Sequence, residues 1–389
     1  MMTHCPVCRS PRSVAFLHRE QVPVHQNLVV ATPEQARRLT RGALDMVACE
    51  DCGFVFNRAF DSGRLAYGED YDNTQSCSPY FDAYLDDLAR HLVEAKGVRH
   101  AHVVEVGCGK GHFLRKLVSY PGAENRGTGF DPSYVGPDRD GEGKLVFERR
   151  FYGADCADVP ADVVVCRHVI EHVPEPLSLL QAVRAALIGS PRARVFFETP
   201  CVEWILKNRI LWDFFYEHCS LFTAASLSLA FARAGFHVEG VRHIFGGQYL
   251  WLEATPAEGA PAADPVDAGR VAALARAYGC SEGVRREEWA LRLRDLRRQG
   301  AVALWGAGAK GATLANLVDP DGELIDCIVD VNPNKQGRHL PGTGHPIVSP
   351  AALAVRGVRN AVLMNPNYRD ENLRLLSEVG IACNLIDWT

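Results

Sequence analysis

The stretch AHVVEVGCGKGHFL, residues 101–114, decides the fold. Its first half predicts an apolar β-strand over residues 102–106, which runs into Gly107, Gly109 and Gly111 and then into a helix. Glycines at such a turn let the backbone approach a ligand closely at the N-terminus of the helix. The stretch therefore predicts a ligand-binding strand, loop and helix of an α/β protein.

Two acidic residues sharpen this prediction. Glu105 lies just before the first glycine, and Asp131, in GTGFDPS, ends the next predicted strand, twenty residues beyond Gly111. An acidic side chain at that place can accept hydrogen bonds from both ribose hydroxyls of an adenosine ligand. NAD and S-adenosylmethionine both satisfy this pattern, so the loop alone does not choose between them.

Further apolar runs at ADVVVC, ARVFFE, FHVEGV and QYLWLEA predict more strands of the same sheet. Together with the form E-x-G-x-G-x-G, they resemble a class I S-adenosylmethionine-dependent methyltransferase. The resemblance implies that S-adenosylmethionine is the cofactor. The residues that we expect to bind it are Glu105, Gly107, Gly109, Gly111, Asp131 and Arg167.

Two groups of polar residues follow strands of this predicted sheet. Ligands in open α/β sheets bind beyond the carboxyl ends of the strands, so both groups should lie on the cofactor side. A Tyr-Glu-His triplet could instead be a solvated turn, but its place after a strand favours a catalytic role. The residues concerned are Arg167, His168, Glu171 and His172 in RHVIEH, and Tyr216, Glu217 and His218 in DFFYEHCSLFT.

The N-terminal region is marked by cysteines. Four of the thirteen cysteines form two pairs, Cys5 with Cys8 in CPVC and Cys49 with Cys52 in CEDC. A two-residue gap lets both sulfurs of a pair face one ion, and four thiolates close a tetrahedral structural zinc site. A redox role for one pair is the alternative. We expect zinc, and because no ligand position is left open, its role would be to fold this region.

A third region begins at Ala301. The run AVALW predicts a strand, GAGAKG supplies Gly306, Gly308 and Gly311, and LIDCIVD places Asp330 after a second strand. This pattern has the form of a dinucleotide-binding fingerprint, and by itself it predicts an NAD-dependent dehydrogenase. Only about eighty residues follow, which is too few for a full doubly wound domain.

Composition limits the remaining possibilities. The chain has 389 residues, enough for two or three domains, and its 47% hydrophobic and 23% charged residues are ordinary for a globular protein. A formal charge of -5, without a long basic run, argues against a nucleic-acid partner. The start MMTHCPVC has no secretory pattern, and no run is long enough to span a bilayer. We therefore expect a cytoplasmic protein with reduced cysteines and no membrane partner.

The order of these motifs along the chain resembles the sugar C-methyltransferase family of deoxysugar pathways. The predicted α/β fold then has a zinc-binding domain (1–75), a methyltransferase domain (76–258), a helical connector (259–298) and a C-terminal Rossmann-like domain (299–389). The shared motifs are the two cysteine pairs, VVEVGCGKGHFL, RHVIEH, YEH, WGAGAKGATLANL, VDVNPNKQGRHLPGT and NPNYRDEN.

Members of that family methylate the carbon next to the ketone of nucleotide-linked 4-keto-deoxysugars, usually dTDP derivatives. The resemblance implies that the C-terminal domain helps to bind this small-molecule substrate instead of NAD. We expect substrate contacts from Tyr71, Lys310 and Asn365. A monomer or a small homo-oligomer is expected.

Methylation of carbon requires a base that removes the proton next to the ketone. Histidine suits this task because its pKa lies near working pH, and the resemblance assigns it to His218. Glu217 would hold the imidazole tautomer or a sugar hydroxyl. Tyr216 and either His168 or His172 would donate hydrogen bonds to the developing enolate oxygen, which is often the largest catalytic contribution. Glu171 is expected to be structural.

Two segments differ from the sequence that is usual in the family: VPVHQNLVVATPEQARRLTRG and PGTGHPI. These differences leave open that the chain belongs to a related group of methyltransferases, which has the same scaffold and a different methyl acceptor. An O- or N-methyltransferase acting on another natural product is therefore one alternative. An NAD-dependent oxidoreductase that uses the C-terminal glycine loop is the second, and a zinc-binding scaffold without activity is the third.

Overall fold

The computed structural model describes residues 4–65, 77–257 and 268–387. Its strands in chain order are β1 (Ser13–Pro23), β2 (Arg41–Cys49), β3 (Val55–Asn57), β4 (His102–Val106), β5 (Arg126–Phe130), β6 (Arg139–Asp140), β7 (Leu145–Glu148), β8 (Val163–Arg167), β9 (Arg194–Pro200), β10 (Ser220–Leu221), β11 (Phe236–Ile244), β12 (Tyr249–Pro256), β13 (Ala301–Trp305), β14 (Cys327–Val329), β15 (Ile347–Val348), β16 (Val358–Leu363) and β17 (Asn384–Ile386).

The α-helices are α1 (Pro33–Arg37), α2 (Pro79–Arg90), α3 (His112–Val118), α4 (Pro176–Ala186), α5 (Val202–Asn208), α6 (Ala224–Arg233), α7 (Ala268–Gln299), α8 (Ala309–Val318), α9 (Ala352–Val355) and α10 (Arg369–Glu378). A π-helical turn, His91–Ala95, extends α2, and short 3-10 turns occur at Ser62–Arg64, Gly141–Gly143, Ala154–Cys156, Ile170–His172 and Pro366–Tyr368.

The central sheet contains the strand and loop predicted from residues 101–114. Among the described residues it has eight strands in the order β11-β12-β9-β8-β4-β5-β7-β6. The strands from β9 to β7 pair in parallel, whereas β12, β11 and β6 run antiparallel to their neighbours. Its middle strands are rich in valine and buried, as expected for parallel strands covered on both faces.

A second sheet lies in the C-terminal region. Its strands are all parallel in the order β15-β14-β13-β16-β17, and β13 at its centre leads into the second glycine loop and α8. Parallel strands need crossover connections, and α8 supplies the one between β13 and β14, while α10 supplies the one between β16 and β17. Both Rossmann-like sheets confirm the predicted α/β class.

The N-terminal sheet is antiparallel in the order β1-β2-β3-β10. Its last strand, Ser220–Leu221, comes from the middle of the chain and directly follows the YEH triplet. The long helix α7 packs against β1 so closely that a side chain at Gly279 would overlap the carbonyl oxygen of Phe16. The N-terminal sheet therefore contacts both the central region and α7, and it helps to position the triplet.

Buried apolar clusters join the three sheets. One cluster combines Cys5 and Phe54 of the N-terminal region with Val104 of β4, and another combines Leu44 of β2 with Val302 of β13. Burial of this kind contributes about 25 cal/mol for each Å² of apolar surface removed from water. The facing ends of the central and C-terminal sheets are thus held near each other. Across the described ranges, no helix has the length and apolar character needed to cross a bilayer.

Candidate active site

A cleft of about 280 Å³ lies between the carboxyl ends of the central and C-terminal strands. One side carries residues of the central region, the other carries the loop after β13, and Asn27 reaches it from the N-terminal region. The cleft brings together six predicted residues: His168, His172, Glu217, His218, Lys310 and Asn365. Tyr71 lies outside the described residues, so its predicted substrate contact stays a prediction.

His218 is half-buried against aromatic rings. Its ring centroid lies 4.0 Å from that of Phe215 and 4.8 Å from that of His172. No hydrogen-bond partner for its ring nitrogens occurs among the described residues. Burial, followed by the nearby charges of His172, His168 and Lys310, lowers the pKa of His218 well below its ordinary value. The imidazole is therefore neutral at working pH and can accept a proton.

Glu217 lies beside His218 but turns toward the N-terminal region. It is fully buried, and its Oε2 accepts a hydrogen bond of 2.9 Å from the backbone N–H of Gln26. The Nδ1 atom of His25 lies 3.5 Å from Glu217 Oε1. Glu217 thus links the segment around Gln26 and Asn27 to the cleft. Among the described residues, its hydrogen bonds do not include one to His218 that would fix the tautomer of that ring.

Tyr216 faces away from the cleft, contrary to its predicted role as a donor to the enolate. Its hydroxyl accepts a hydrogen bond from the N–H of Asp61 at 2.9 Å and donates to the carbonyl of Asp61 at 3.2 Å. The ring packs over Gly42, where a side chain would overlap it. Successive residues point in different directions, so Phe215 and His218 line the cleft while Tyr216 holds the N-terminal region.

His168 is held between two buried carboxylates. Its Nδ1 lies 3.1 Å from Glu171 Oε1, and its Nε2 lies 3.0 Å from Glu198 Oε1. Burial opposes its charge, but the two carboxylates outweigh burial and raise the pKa of His168 to about 9. Because both ring nitrogens are engaged, His168 has no N–H left for an enolate oxygen, which removes the geometric basis for that predicted role.

Glu198 is the central residue of this network, and the sequence analysis gave it no role. It accepts hydrogen bonds from Tyr84 Oη at 2.7 Å and Arg167 Nε at 2.6 Å. Burial alone would raise its pKa, but the charges of Arg167 and His168 lower the pKa of Glu198 to about 2. The sequence does carry a signal for Glu198, because it is an acidic residue that ends the predicted strand ARVFFE, as Asp131 ends its own predicted strand.

Arg167 belongs to the same network through its bond to Glu198. Its guanidinium carbon is 4.7 Å from the centroid of the Phe113 ring, next to the glycine loop. Its Nη2 atom is buried and has no hydrogen-bond partner in the described part of the chain. A buried donor without a partner is costly, so this atom is suited to an acceptor group of a bound cofactor.

His172 and Glu171 complete the neighbourhood of His218. Ligand atoms of Glu171, His172 and His218 lie within 4.8 Å of one another, a spacing that could hold a metal ion. The oxygens of Glu171 are already used, since Oε2 accepts a hydrogen bond of 3.1 Å from Thr199 and Oε1 contacts His168. Glu171 is therefore placed as the structural residue that the sequence indicated. The Nδ1 atom of His172 is buried without a partner among the described residues.

The first glycine loop has one open position. Gly107 and Gly111 adopt positive φ angles and pack so tightly that side chains there would overlap Val169 and Phe147, respectively. Gly109 also has a positive φ, of 53°, but a side chain there would meet nothing within 4 Å. The open space beside Gly109 fits a ligand at the N-terminal end of α3, which is where S-adenosylmethionine was predicted.

The two predicted acids support this loop from different sides. Asp131 Oδ2 accepts the N–H of Gly109 at 2.8 Å, and its Oδ1 accepts the N–H of Ser133 at 2.8 Å. Glu105 Oε2 accepts the N–H of Leu114 at 3.1 Å, inside the first turn of α3. Burial raises the pKa of Glu105 to about 8. Asp131 is thus the acid within reach of a ligand, whereas Glu105 lies beneath the loop.

Lys310 and Asn365 reach the cleft from the C-terminal region. The ammonium of Lys310 lies 3.0 Å from Asp213 Oδ1 and 3.3 Å from Gln248 Oε1. Asn365 exchanges two hydrogen bonds with Gln248, at 3.1 and 3.2 Å. Both contacts cross between the two Rossmann-like regions. They give Asp213 and Gln248 a place at the site that their sequence context did not indicate.

The four paired cysteines converge in the N-terminal region. Their sulfurs all lie within 4.8 Å of one another, with Cys5 3.6 Å from Cys52 and Cys8 3.4 Å from Cys49. A tetrahedron with Zn–S bonds of about 2.3 Å has edges of roughly 3.8 Å, so the cluster fits one zinc ion. All four thiols are free of disulfide bonds.

Comparisons with known proteins indicate the class of enzyme. Residues 80–241 match a family model described as a methyltransferase domain, and residues 280–381 match one described as a C-methyltransferase C-terminal domain. The chain is 27% identical over 388 residues to the C-methyltransferase NovU of Streptomyces niveus, covering 94% of this chain and 90% of that protein.

Two further similarities are shorter. A ubiquinone biosynthesis O-methyltransferase of Vibrio cholerae serotype O1 (strain M66-2) is 34% identical over 114 residues, 28% of this chain and 45% of that protein. The solved 1,6-didemethyltoxoflavin-N1-methyltransferase of Burkholderia thailandensis gives a TM-score of 0.34 at 16% identity, covering 46% of this chain and 81% of that chain. A TM-score this low supports no conclusion about this protein.

The matches define the chain as an S-adenosylmethionine-dependent methyltransferase. More narrowly, the activity is that of a C-methyltransferase, because the C-terminal region matches the domain named for these enzymes and NovU aligns over 94% of this chain. The C-terminal glycine loop is therefore part of a methyltransferase, and the alternative of an NAD-dependent oxidoreductase is set aside.

Proposed function

We propose that this C-methyltransferase acts on a nucleotide-linked 4-keto-deoxysugar of the dTDP type, and that it methylates the carbon next to the ketone. The proposal rests on the family resemblance of the sequence and on one observation. A single cleft contains the neutral His218 imidazole together with the second glycine loop and the N-terminal end of α8, which carries Lys310. A helix N-terminus of this kind suits the phosphates of a nucleotide.

The proposed reaction begins with His218 as the base. The bond between the α-carbon and its hydrogen breaks, the proton passes to a ring nitrogen of His218, and the electron pair forms an enolate whose charge lies on the ketone oxygen. S-adenosylmethionine, which the loop at Gly109 and Asp131 would hold, would supply the methyl group as an electrophile, with S-adenosylhomocysteine as the product. The enolate carbon forms the new bond, and the imidazolium later returns its proton to water.

The local environment supports His218 in this role. A base must be unprotonated before the reaction, and the lowered pKa keeps the imidazole neutral. The aromatic ring of Phe215 covers one side of it and limits the access of water. His172, edge-on to His218, is the remaining candidate donor to the enolate oxygen among the histidines of the cleft.

Exchange of the α-proton tests the proposal directly. The protein is incubated in heavy water with a dTDP-linked 4-keto-deoxysugar and S-adenosylhomocysteine, which cannot donate a methyl group. We expect deuterium to enter the carbon next to the ketone at a rate that depends on the enzyme. Methyl transfer to oxygen or nitrogen requires no such exchange, so turnover of an acceptor without exchange would exclude the enolate route.

The structural parts of the proposal follow the sequence analysis. Cys5, Cys8, Cys49 and Cys52 would hold one zinc ion that stabilises the N-terminal region. We retain as proposals the division into segments 1–75, 76–258, 259–298 and 299–389, the cytoplasmic location and the monomeric or small homo-oligomeric state. Metal analysis of the purified protein tests the zinc site, and we expect one equivalent of zinc.

A further inference from the structure

The cleft has few cationic side chains among the described residues that line it. Its cationic residues among those described are His168, Lys310 and Lys335. Both ring nitrogens of His168 are engaged by Glu171 and Glu198. Lys335 is 5% exposed, and its ammonium donates to the carbonyl of Ala307 at 3.1 Å. Of the other donors expected from the sequence, Tyr216 faces Asp61 outside the cleft, whereas His172 lines it.

Lys310 is placed differently. Its side chain is 26% exposed and enters the cleft from the first turn of α8, with the ammonium 5.9 Å from the centroid of the Trp204 ring. Its ion-pair partner Asp213 begins the same segment that ends at His218, and Asp213, Phe215 and His218 all line the cleft. The ammonium is therefore fixed on the wall that carries the proposed base.

We infer that Lys310 is a catalytic residue whose ammonium donates a hydrogen bond to the ketone oxygen as that oxygen gains the charge of the enolate. The inference rests on the proposed function, and it changes the expected task of Lys310 from substrate binding to chemistry. A fixed cation that faces a developing oxyanion in a site shielded from water lowers the barrier more than it strengthens ground-state binding. Lys310 also contributes to the lowered pKa of His218, so its charge reaches the base.

The interface between the two Rossmann-like regions would hold Lys310 in its catalytic position. Asp213 and Gln248 belong to the central region, and each accepts a hydrogen bond from Lys310 of the C-terminal region. One of the three ammonium hydrogens would serve Gln248 and one would be shared by the two Asp213 oxygens, 3.0 and 3.1 Å away, so that the third can bind the substrate. The base and the cation would thus come from different regions, and the site would be complete only when both regions are in place.

Substitution of Lys310 by Met separates chemistry from binding. We expect Lys310→Met to reduce the α-proton exchange rate at saturating dTDP-linked 4-keto-deoxysugar by about 10²- to 10³-fold, the usual effect of deleting one oxyanion donor. The dissociation constant for dTDP, which has phosphates but no ketone, should change by less than about threefold. Lys207→Met is the matched control, because Lys207 lies on α5 with its side chain 54% exposed.

Loss of Lys310 leaves the buried carboxylate of Asp213 without its partner, which could unfold the protein. The double variant Asp213→Asn with Lys310→Met removes both charges and should show the same loss of exchange. If either folded variant exchanges at the wild-type rate while its affinity for dTDP falls, Lys310 binds phosphate and the inference is wrong. If the wild-type protein itself shows no exchange, no enolate forms, and the proposed function fails together with the inference.

Discussion

The glycine loop at residues 107–111 and the glycine loop at residues 306–311 share a hydrogen-bond pattern but differ in their surroundings. In the first, Asp131 accepts the N–H of Gly109 at 2.8 Å, and in the second, Asp330 accepts the N–H of Ala307 at 2.7 Å. Each acid also accepts an N–H from two residues further on, at 2.8 Å in both cases. The fingerprint has therefore produced a similar strand, loop and acid twice, with the acid bonded one position earlier in the second loop.

The surroundings of the two loops separate their tasks. The second loop lines the cleft with His218 and continues into Lys310, whereas the first loop does not contribute to the lining of that cleft. In the second loop, a side chain at Gly311 would overlap the carbonyl of Gly306, so that glycine serves close packing of helix on loop. The comparison indicates that a glycine fingerprint predicts a fold element, while the ligand depends on what packs against it.

The largest expected effect comes from the cysteine cluster, because the N-terminal region that it would stabilise brings Asn27 to the cleft and bonds Glu217 through Gln26. Replacement of Cys49 by Ser should release about one equivalent of zinc and cost several kcal/mol of folding free energy in the N-terminal region. Proton exchange should be lost, while binding of S-adenosylhomocysteine should be less affected. Metal content, thermal unfolding and calorimetric titration measure these three quantities.

Cys280→Ser is the matched control for this substitution, since Cys280 is an exposed thiol on α7 outside the cluster. It should retain zinc and activity. A purified wild-type protein without metal would contradict the zinc proposal, whatever the effect of Cys49→Ser on stability.

The next effect separates the base from the cofactor loop. His218→Ala should reduce α-proton exchange by roughly 10²- to 10⁴-fold, the typical contribution of a general base. Affinity for S-adenosylmethionine should stay unchanged, because the loop at 107–111 does not line the cleft that holds His218 in the described structure. Exchange followed by NMR and binding followed by calorimetry give the two values.

The pH dependence of wild-type exchange checks the same assignment. A base acts in its unprotonated form, and the pKa of His218 is lowered from its ordinary 6.5. The exchange rate should therefore stay level as the pH falls to 6.5 and decline only below it. A decline centred at or above pH 6.5 would point to another base, of which His172 is the first to test.

Much of this arrangement could be predicted from local sequence. The strand at 102–106, the two glycine loops and the acids that follow them depend on short-range patterns of apolar residues and glycines, and the structure contains them. The cysteine pairs could be grouped because a two-residue gap has one simple geometric meaning. These features need no knowledge of the tertiary fold.

The orientation of the YEH triplet could not be predicted in the same way. Tyr216 turns from the cleft because strand β10, directly after the triplet, pairs with β3 of the N-terminal sheet. The contacts of Lys310 with Asp213 and of Glu198 with His168 likewise join residues that are far apart in the chain. Such contacts depend on packing between separate sheets, and no local pattern specifies them.

A smaller effect should distinguish the two acids. Asp131→Ala should weaken binding of S-adenosylmethionine by about 1 to 3 kcal/mol, the cost of leaving polar groups of the ligand without their acceptor. Asp330→Ala removes the same hydrogen bond from the other loop and should leave that affinity unaltered. Titration calorimetry measures both. Equal losses from the two substitutions would mean that the loops do not differ in the way that their surroundings suggest.

The smallest expected effect concerns Tyr216. Because the hydrogen bonds of its hydroxyl within the described ranges go to the backbone of Asp61, Tyr216→Phe should lower the free energy of unfolding by about 0.5 to 1.5 kcal/mol, the usual net value of a buried hydrogen bond. The exchange rate at saturating substrate should stay within about twofold of the wild-type rate, since a donor to the enolate would instead contribute about 10²- to 10³-fold. A loss of that size, with stability unchanged, would show that Tyr216 turns into the cleft when substrate binds. Phe215 would then have to move out of the cleft. Tyr216 would be the catalytic donor to the enolate, and Lys310 would have a structural role.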